Sequence, residues 1–284
     1  MADTQNVIYA QAYSKNIMQL AQQKYSKLIN TVYLKPNVRG KTFFQDQIGQ
    51  WSMSVKGGRN VVTPNNDPSL ARRMGTMVDY HDNRLLDRGD ELRAISDPRS
   101  AYTIAAAQSL GRKIDDVIIA ALLGTAYSGE TGTTSNTLST TQVSGTSSAL
   151  SLARVSAVKK VMDDADIEME DRFFIVSPGG LEDLLNVAEA TSADYNSVKS
   201  LIRGDIDTWM GFKWITSTRL DFTSSTRSCI AFHKYGLCLA MADAPLVRTD
   251  ERSDLSYSWQ VYYELNVGAV RLEEERVVKV PVDA

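Results

Sequence analysis

Asp97-Pro98-Arg99-Ser100-Ala101-Tyr102-Thr103-Ile104-Ala105-Ala106-Ala107-Gln108-Ser109-Leu110-Gly111-Arg112-Lys113-Ile114-Asp115-Asp116-Val117-Ile118-Ile119-Ala120-Ala121-Leu122-Leu123-Gly124 is the stretch on which the fold turns. Asp97 is a good capping residue, Pro98 fits a first helical turn and Gly124 is a stop. Ile104, Ala107, Gly111, Ile114, Ile118 and Ala121 recur at spacings of three and four, which predicts one apolar stripe. About 26 residues at 1.5 Å each span roughly 39 Å. That is long for a globular helix and suits a structural spine. Ala105, Ala106, Ala107 and Gly111 would let a sheet or a second helix approach closely.

Upstream of this helix the chain reads as extensions. Residues 1–45 read as an arm, with an amphipathic helix predicted over 15–30 from Ile17, Leu20, Ala21, Lys24, Leu28 and Val32. Pro36 and Gly40 end that pattern. Trp51, Met53 and Val55 alternate with Ser52, Ser54 and Lys56, which predicts a strand. Gly57-Gly58 marks a turn, and Pro64-Asn65-Asn66-Asp67-Pro68 cannot hold a ladder. A second strand is expected from Arg72 to Tyr80. A two-stranded hairpin alone is marginal in water, so a projecting one needs another surface to dock on.

Downstream, residues 125–148 are dominated by Ser, Thr and Gly and read as an exposed, mobile loop marking a domain boundary. The rest alternates helices and strands. A helix is expected over 149–163 and a strand at Phe173-Phe174-Ile175-Val176, buried on both faces. A short helix should hold Leu181, Leu184 and Leu185, and another strand Phe212-Lys213-Trp214-Ile215. Ser228–Phe232 and Gly236–Met241 read as a hairpin around Lys234-Tyr235. Strands fill Tyr257–Val282, with a break expected at Gly268.

The chain has 284 residues, 43% hydrophobic and 23% charged, and a net charge of −3. This is an ordinary globular composition, which excludes collagen, a coiled-coil rod and wholesale disorder. No apolar run reaches the roughly 18 residues of a membrane helix. The first residues lack a secretory signal, so a cytoplasmic site of synthesis is expected. The charge balance argues against a broad basic face for gripping nucleic acid, though not against enclosing it. Two cysteines and two histidines leave little for metal or imidazole chemistry.

The chemical motifs fail one by one. Gly40-Lys41-Thr42 resembles the end of a phosphate-binding loop, but position 35 is lysine where glycine is required. Asp163, Asp164, Asp166, Glu168, Glu170 and Asp171 suggest calcium, but the sixth position counted from Asp164 is Met169. These acids read instead as a solvated helix end and loop, with a looser cation site at a subunit contact as the other reading. His233 reads as a surface residue at a hairpin end. Cys229 and Cys238 could face each other across that hairpin, as packed thiols rather than a bond. Tyr257, Trp259, Tyr262 and Tyr263 read as a sheet packed on one face. No catalytic constellation, metal site or cofactor site is expected.

Three ordered segments also carry a resemblance. Ser96 to Tyr102 followed by Ser109 to Ala126 looks like the spine-helix region of tailed double-stranded-DNA phage major capsid proteins. Met210-Gly211-Phe212-Lys213-Trp214-Ile215, with Ser217 to Leu220, resembles that family's turn and strand in the second half. Gly268 to Val278 resembles its C-terminal strands. The resemblance implies an α+β fold of the Hong Kong 97 type. It implies an N-terminal arm (1–45), an extended hairpin or E-loop (46–82), a peripheral domain with the spine helix (83–125 and 246–271) and an axial domain (126–245 and 272–284).

The function so implied is a non-enzymatic coat protein of the virion, assembled in the bacterial host cytoplasm. Copies join as hexamers and pentamers into an icosahedral shell that encloses double-stranded DNA without sequence-specific binding. Further implied partners are a separate scaffolding protein, since no long segment precedes the arm, a portal vertex and a decoration or cement protein; no membrane is involved. Met53, Val55, Met74 and Met77 are the candidates for apolar docking of the hairpin on a neighbour. Lys56, Arg72 and Arg73 are candidates to pair with a neighbour's acids. Some members of the family crosslink a hairpin lysine to an asparagine, for which Lys56 and Asn266 would be the residues. The alternatives are an encapsulin-like compartment of the same fold and, from another class, a soluble α/β enzyme.

Overall fold

A computed structural model describes residues 22–87, 99–186 and 207–283. The chain divides into two compact units. Of the described residues one comprises 22–26, 79–87, 99–114 and 243–266, the other 27–78, 115–186, 207–242 and 267–283.

In the first unit, strand β4 (Val78–Leu86) and strand β13 (Leu246–Arg252) both pair with β14 (Ser258–Arg271). The β13 register runs antiparallel from Leu246↔Glu264 to Arg252↔Ser258. The long helix, α1, spans Arg99–Leu123. Asp97 and Pro98, its expected start, lie outside the described residues. Of the expected stripe only Ile114 and Ile118 are buried. Ala106, Leu110, Ile114, Ile118 and Leu122 are buried at a regular spacing of four, whereas Ile104 is exposed. Ala107 is exposed as well. Gly111 is required by close approach. A Cβ there would lie 2.9 Å from the backbone nitrogen of Ser26.

The second unit holds the densest packing. A six-stranded sheet has the order β10 (Phe222–Thr223), β11 (Thr226–His233), β7 (Arg172–Val176), β9 (Phe212–Thr216) and β8 (Thr208–Trp209), with β15 (Val277–Asp283) also on β11. β7 and β9 run parallel, and all five residues of β7 are buried. Phe173 to Val176 within it are the continuous apolar run expected of a strand covered on both faces. Phe174 stacks on Trp214 at 4.4 Å between ring centroids. Helix α2 (Leu152–Asp164) starts at Ser151, whose side chain caps Arg154 N, and buries Val155, Val158 and Met162. Helix α3 is Pro178–Asn186.

Two further sheets belong to this unit. β1 (Tyr33–Lys35) runs parallel to β12 (Leu237–Met241), and β12 pairs with residues 267–271 of β14. A four-stranded antiparallel sheet has the order β2 (Thr42–Ile48), β3 (Leu70–Thr76), β5 (Ala126–Ser128) and β6 (Thr134–Asn136).

Several expectations are corrected. Residues 15–21 lie outside the described residues, and 22–28 are not helical; only a single 3-10 turn, Ile29–Thr31, follows. The low-complexity stretch 125–148 is tied down by β5, β6, a 3-10 turn and two bridges to β15. Arg154 fixes it, donating to the carbonyls of Ser144 at 2.8 Å, Ser148 at 2.7 Å and Pro281 at 2.7 Å.

β11 and β12 form no hairpin. The 3-10 turn Lys234–Gly236 passes the chain from one sheet to another, because both edges of β11 are taken by β15 and β7. Cys229 therefore pairs in register with Val280 and Cys238 with Val270, and both thiols are free. β14 does not break at Gly268. Glycine serves a close approach there, since a Cβ would sit 2.3 Å from the carbonyl oxygen of Thr76. His233 is buried at 2% exposure and is not a surface residue.

Candidate assembly surfaces

The projecting element is the β2–β3 ribbon. Its register runs from Thr42↔Thr76 to Ile48↔Leu70, and the Gly49 amide then donates to the Ser69 carbonyl at 2.7 Å. Residues 50–69 carry no ladder. The return leg contains Pro64 and Pro68, each lacking an N–H, so the leg from Trp51 to Val55 has no strand to pair with. The alternation of that leg therefore describes a bare segment rather than a strand. Asn66 braces it, donating to Ser54 Oγ at 3.2 Å.

At this tip Met53 is 101% and Val55 97% exposed; Trp51, Val62, Ile48 and Leu70 are also exposed. Large apolar side chains gathered on one segment without intrachain cover mark an interaction surface. Lys56 is exposed among them.

The other four candidates belong to the base of the ribbon. Arg72 pairs across the strands with Asp46 at 2.5 Å, and this bond holds the Asp46 carboxyl below its ordinary range. Arg73 is 11% exposed and pairs with Glu274 of the same chain at 2.6 Å. Met77 is buried in a cluster with Phe43, Val38, Ala126, Cys238 and Leu272. Met74 is half-buried and lies opposite Tyr127 of β5. So Arg73 and Met77 anchor the ribbon within its own chain. Phe43 covers Gly75 in the facing position, where a Cβ would fall 2.2 Å from the ring. Asn266, the crosslink candidate, donates its amide to Asp79.

Two further buried charged groups organise the second unit. Arg271, fully buried, donates to the carbonyls of Leu122 at 2.9 Å, Gly124 at 2.6 Å and Asn136 at 2.9 Å. Its Nη2 lies 3.7 Å from Glu274. Burial presses the Arg271 guanidinium down from the ordinary arginine range, against the attraction of Glu274. Asp115, 1% exposed, accepts the amides of Lys27 and Leu28. The local sequence around neither residue signals these roles, because the backbone groups they bind are 87 or more residues away.

The acidic run is used structurally. Asp163 pairs with buried Arg172 at 2.6 Å, Asp171 with Lys213 at 3.1 Å and Glu168 with Arg276 at 2.9 Å. Among the described residues no three His, Cys, Asp or Glu side chains converge to hold a metal ion. No described helix is long and apolar enough to cross a membrane.

The sequence profile of a family described as phage capsid protein matches residues 6–283. No curated protein gives a significant match. Solved structures do. A capsid structure of cyanophage P-SCSP1u is 13% identical, with TM-score 0.73, covering 98% of this chain and 94% of that one. A capsid of Ralstonia phage GP4 is 11% identical, with TM-score 0.75, covering 97% and 96%. A structure from Mycobacterium phage Che8 is 17% identical, with TM-score 0.72, covering 95% and 96%. These likenesses over nearly whole chains show the α+β Hong Kong 97-type fold.

Proposed function

The chain belongs to the phage capsid protein family, a structural component of the virion and not an enzyme, and on that premise we propose how it builds the shell. Copies join as hexamers and pentamers into an icosahedral shell around double-stranded DNA. The tip of the β2–β3 ribbon lies on a neighbouring copy as the E-loop, and the arm over residues 1–45 reaches across a second contact. The observation that carries this reading is the pairing of a fixed base with a bare tip. Met77 and Arg73 are spent inside the subunit, while Trp51, Met53 and Val55 have no cover.

Each contact can be weak. Once a subunit is held at one edge, its remaining contacts form at high effective concentration. Apolar area buried at about 25 cal/mol per Å² gives several kcal/mol per interface before ordering costs. The net charge of −3 suits a container from which DNA must leave, because few phosphates would be held by salt-dependent contacts. We assign the peripheral domain to 83–125 and 246–271 and the axial domain to 126–245 and 272–284. The compact unit that holds 99–114 and 243–266, together with 22–26 of the arm, supports the core of that division. A scaffolding protein, a portal vertex and a cement protein complete the proposed partners.

The test is a trimmed ribbon. Residues 50–68 are replaced by Asn-Gly, a two-residue hairpin turn, between Gly49 and Ser69, which are already bonded. The expected product is a folded, soluble subunit that forms no closed shells. Normal particles from this variant would overturn the assigned role.

A further inference from the structure

The ribbon is free over much of its length and must nevertheless leave the body in one direction. Its third strand, β5, reaches only Arg73 and Met74, and the last backbone tie is the Gly129 amide to the Arg72 carbonyl at 3.1 Å. Beyond Arg72 the ribbon has only its own two strands. Arg73, held by Glu274, and Gln45 opposite it, which accepts from Lys35 of β1 at 3.3 Å, are therefore the outermost side chains fixed to the body.

Glu274 stands in the turn between β14 and β15, 201 residues away in sequence. Its carboxylate faces two buried guanidiniums. Arg73 Nη2 donates to Oε2 at 2.6 Å, and Arg271 Nη2 stands 3.7 Å from Oε1. The two arginines are not equivalent. Arg271 has three carbonyl partners, two of them at the C-terminal end of α1, where a cation also answers the helix dipole. Among the described residues Arg73 has Glu274 alone, and its Nε and Nη1 are buried without partners.

We propose that Glu274 is a positioning residue that aims the projecting ribbon, by holding Arg73 against the Arg271 anchor at the end of α1. This rests on the reading of the ribbon as the strap between subunits. Removing the negative charge leaves two like charges close together in a buried place, which is strongly unfavourable. Arg271 is held by its carbonyls. Arg73, at 11% exposure against none for Arg271, is the one with a way out to water. The ribbon then loses its one charged tie to the body on the β3 strand, keeping only the Gly129 bond to the Arg72 carbonyl and the Lys35 bond to Gln45 at that level, while the body keeps its own. Subunits with an unaimed strap still fold but close into shells of uneven size.

Hydrogen exchange of the full-length chain tests this, with wild type and Glu274→Gln compared in the same state of assembly. Amides of 44–48 and 70–73 should exchange about tenfold or more faster in the variant, with 115–123 and β15 unchanged. Glu274→Asp should fall between the two. Wild-type exchange in the ribbon, or a uniform rise through the subunit, would overturn the proposal. Should Glu274→Gln fail to fold, Arg73→Met leaves Glu274 with Arg271 and gives the same reading. A loosened ribbon supports the proposal, and unchanged exchange overturns it. Failure of the wild type to form particles would instead strike the shell reading, independently of these rates.

Discussion

The buried carboxylate of Asp115 accepts the backbone amide of Lys27 at 3.1 Å and that of Leu28 at 3.2 Å. One side chain on α1 thus satisfies two successive amides where the N-terminal segment joins the body, and Leu28 beside it is fully buried. Asp115→Ala leaves both donors without an acceptor. Chemical denaturation should show a loss of about 2–4 kcal/mol. Asp115→Asn keeps one acceptor oxygen and should lose less. Equal stability of all three proteins would contradict the role.

Acid should weaken the second unit in two stages. Burial, and then the neighbouring Arg276, push His233 below its ordinary value of 6.5, against the pull of Glu168 and Asp171. Its Nδ1 faces Arg276 Nη1 at 2.9 Å and the Tyr235 amide at 3.3 Å, and Lys234 adds its charge to Asp171 nearby. The unfolded chain therefore binds this proton more readily, and stability falls as pH drops through and below about 6.5. The second stage comes from Glu168 and Asp171, whose carboxyls are lowered from 4.5 and 3.8. The largest causes are a backbone hydrogen bond at Glu168 and the Lys213 hydrogen bond at Asp171. Their stabilisation is present above those values and is lost as pH falls through the lowered ones. Melting temperatures from pH 8 to 3 should fall in both windows, and His233→Gln should remove the first alone.

Cys229 and Cys238 should be inert in the native subunit. Burial raises both thiols, Cys238 to about 11, so little thiolate forms near neutrality. Labelling with a thiol reagent should proceed only after unfolding, and mild oxidation should yield no internal bond. Rapid labelling of the folded chain would contradict their positions in β11 and β12.

The two kinds of methionine in the ribbon should separate cleanly. Met77→Ala opens a hole in the cluster at the base and should cost about 2–5 kcal/mol in unfolding experiments. Met53→Ser with Val55→Ser should change subunit stability by no more than about 0.5 kcal/mol while raising the concentration needed for assembly. A stability loss in the second pair, with assembly unaffected, would mean that the tip packs on its own subunit.

What the sequence made legible was whatever local periodicity controls. Phe173 to Val176 reads as a buried strand and is one, and Arg99–Leu123 carries the expected long helix. Pairings between distant segments were not legible. Ser228–Phe232 and Gly236–Met241 have the pattern of a hairpin, yet β15 and β7 compete for the edges of β11 and win. The alternation at Trp51, Met53 and Val55 is real but belongs to an exposed segment that pairs with no strand. The ladder itself sits at 42–48, where Phe43 needs Gly75 opposite it. Four of the seven docking candidates, Arg72, Arg73, Met74 and Met77, lie at the base. Nothing local separates a residue that anchors a ribbon from one that the ribbon presents. That distinction depends on Glu274, Asp46 and the apolar cluster, all brought in by tertiary folding.

The most direct measurement is electron microscopy, with sedimentation, of the assembled full-length chain. The account predicts hollow closed particles of megadalton mass in which the 50–69 segment of each copy is covered by another. A monodisperse monomer or small oligomer, with Trp51, Met53 and Val55 folded onto their own subunit, would contradict it.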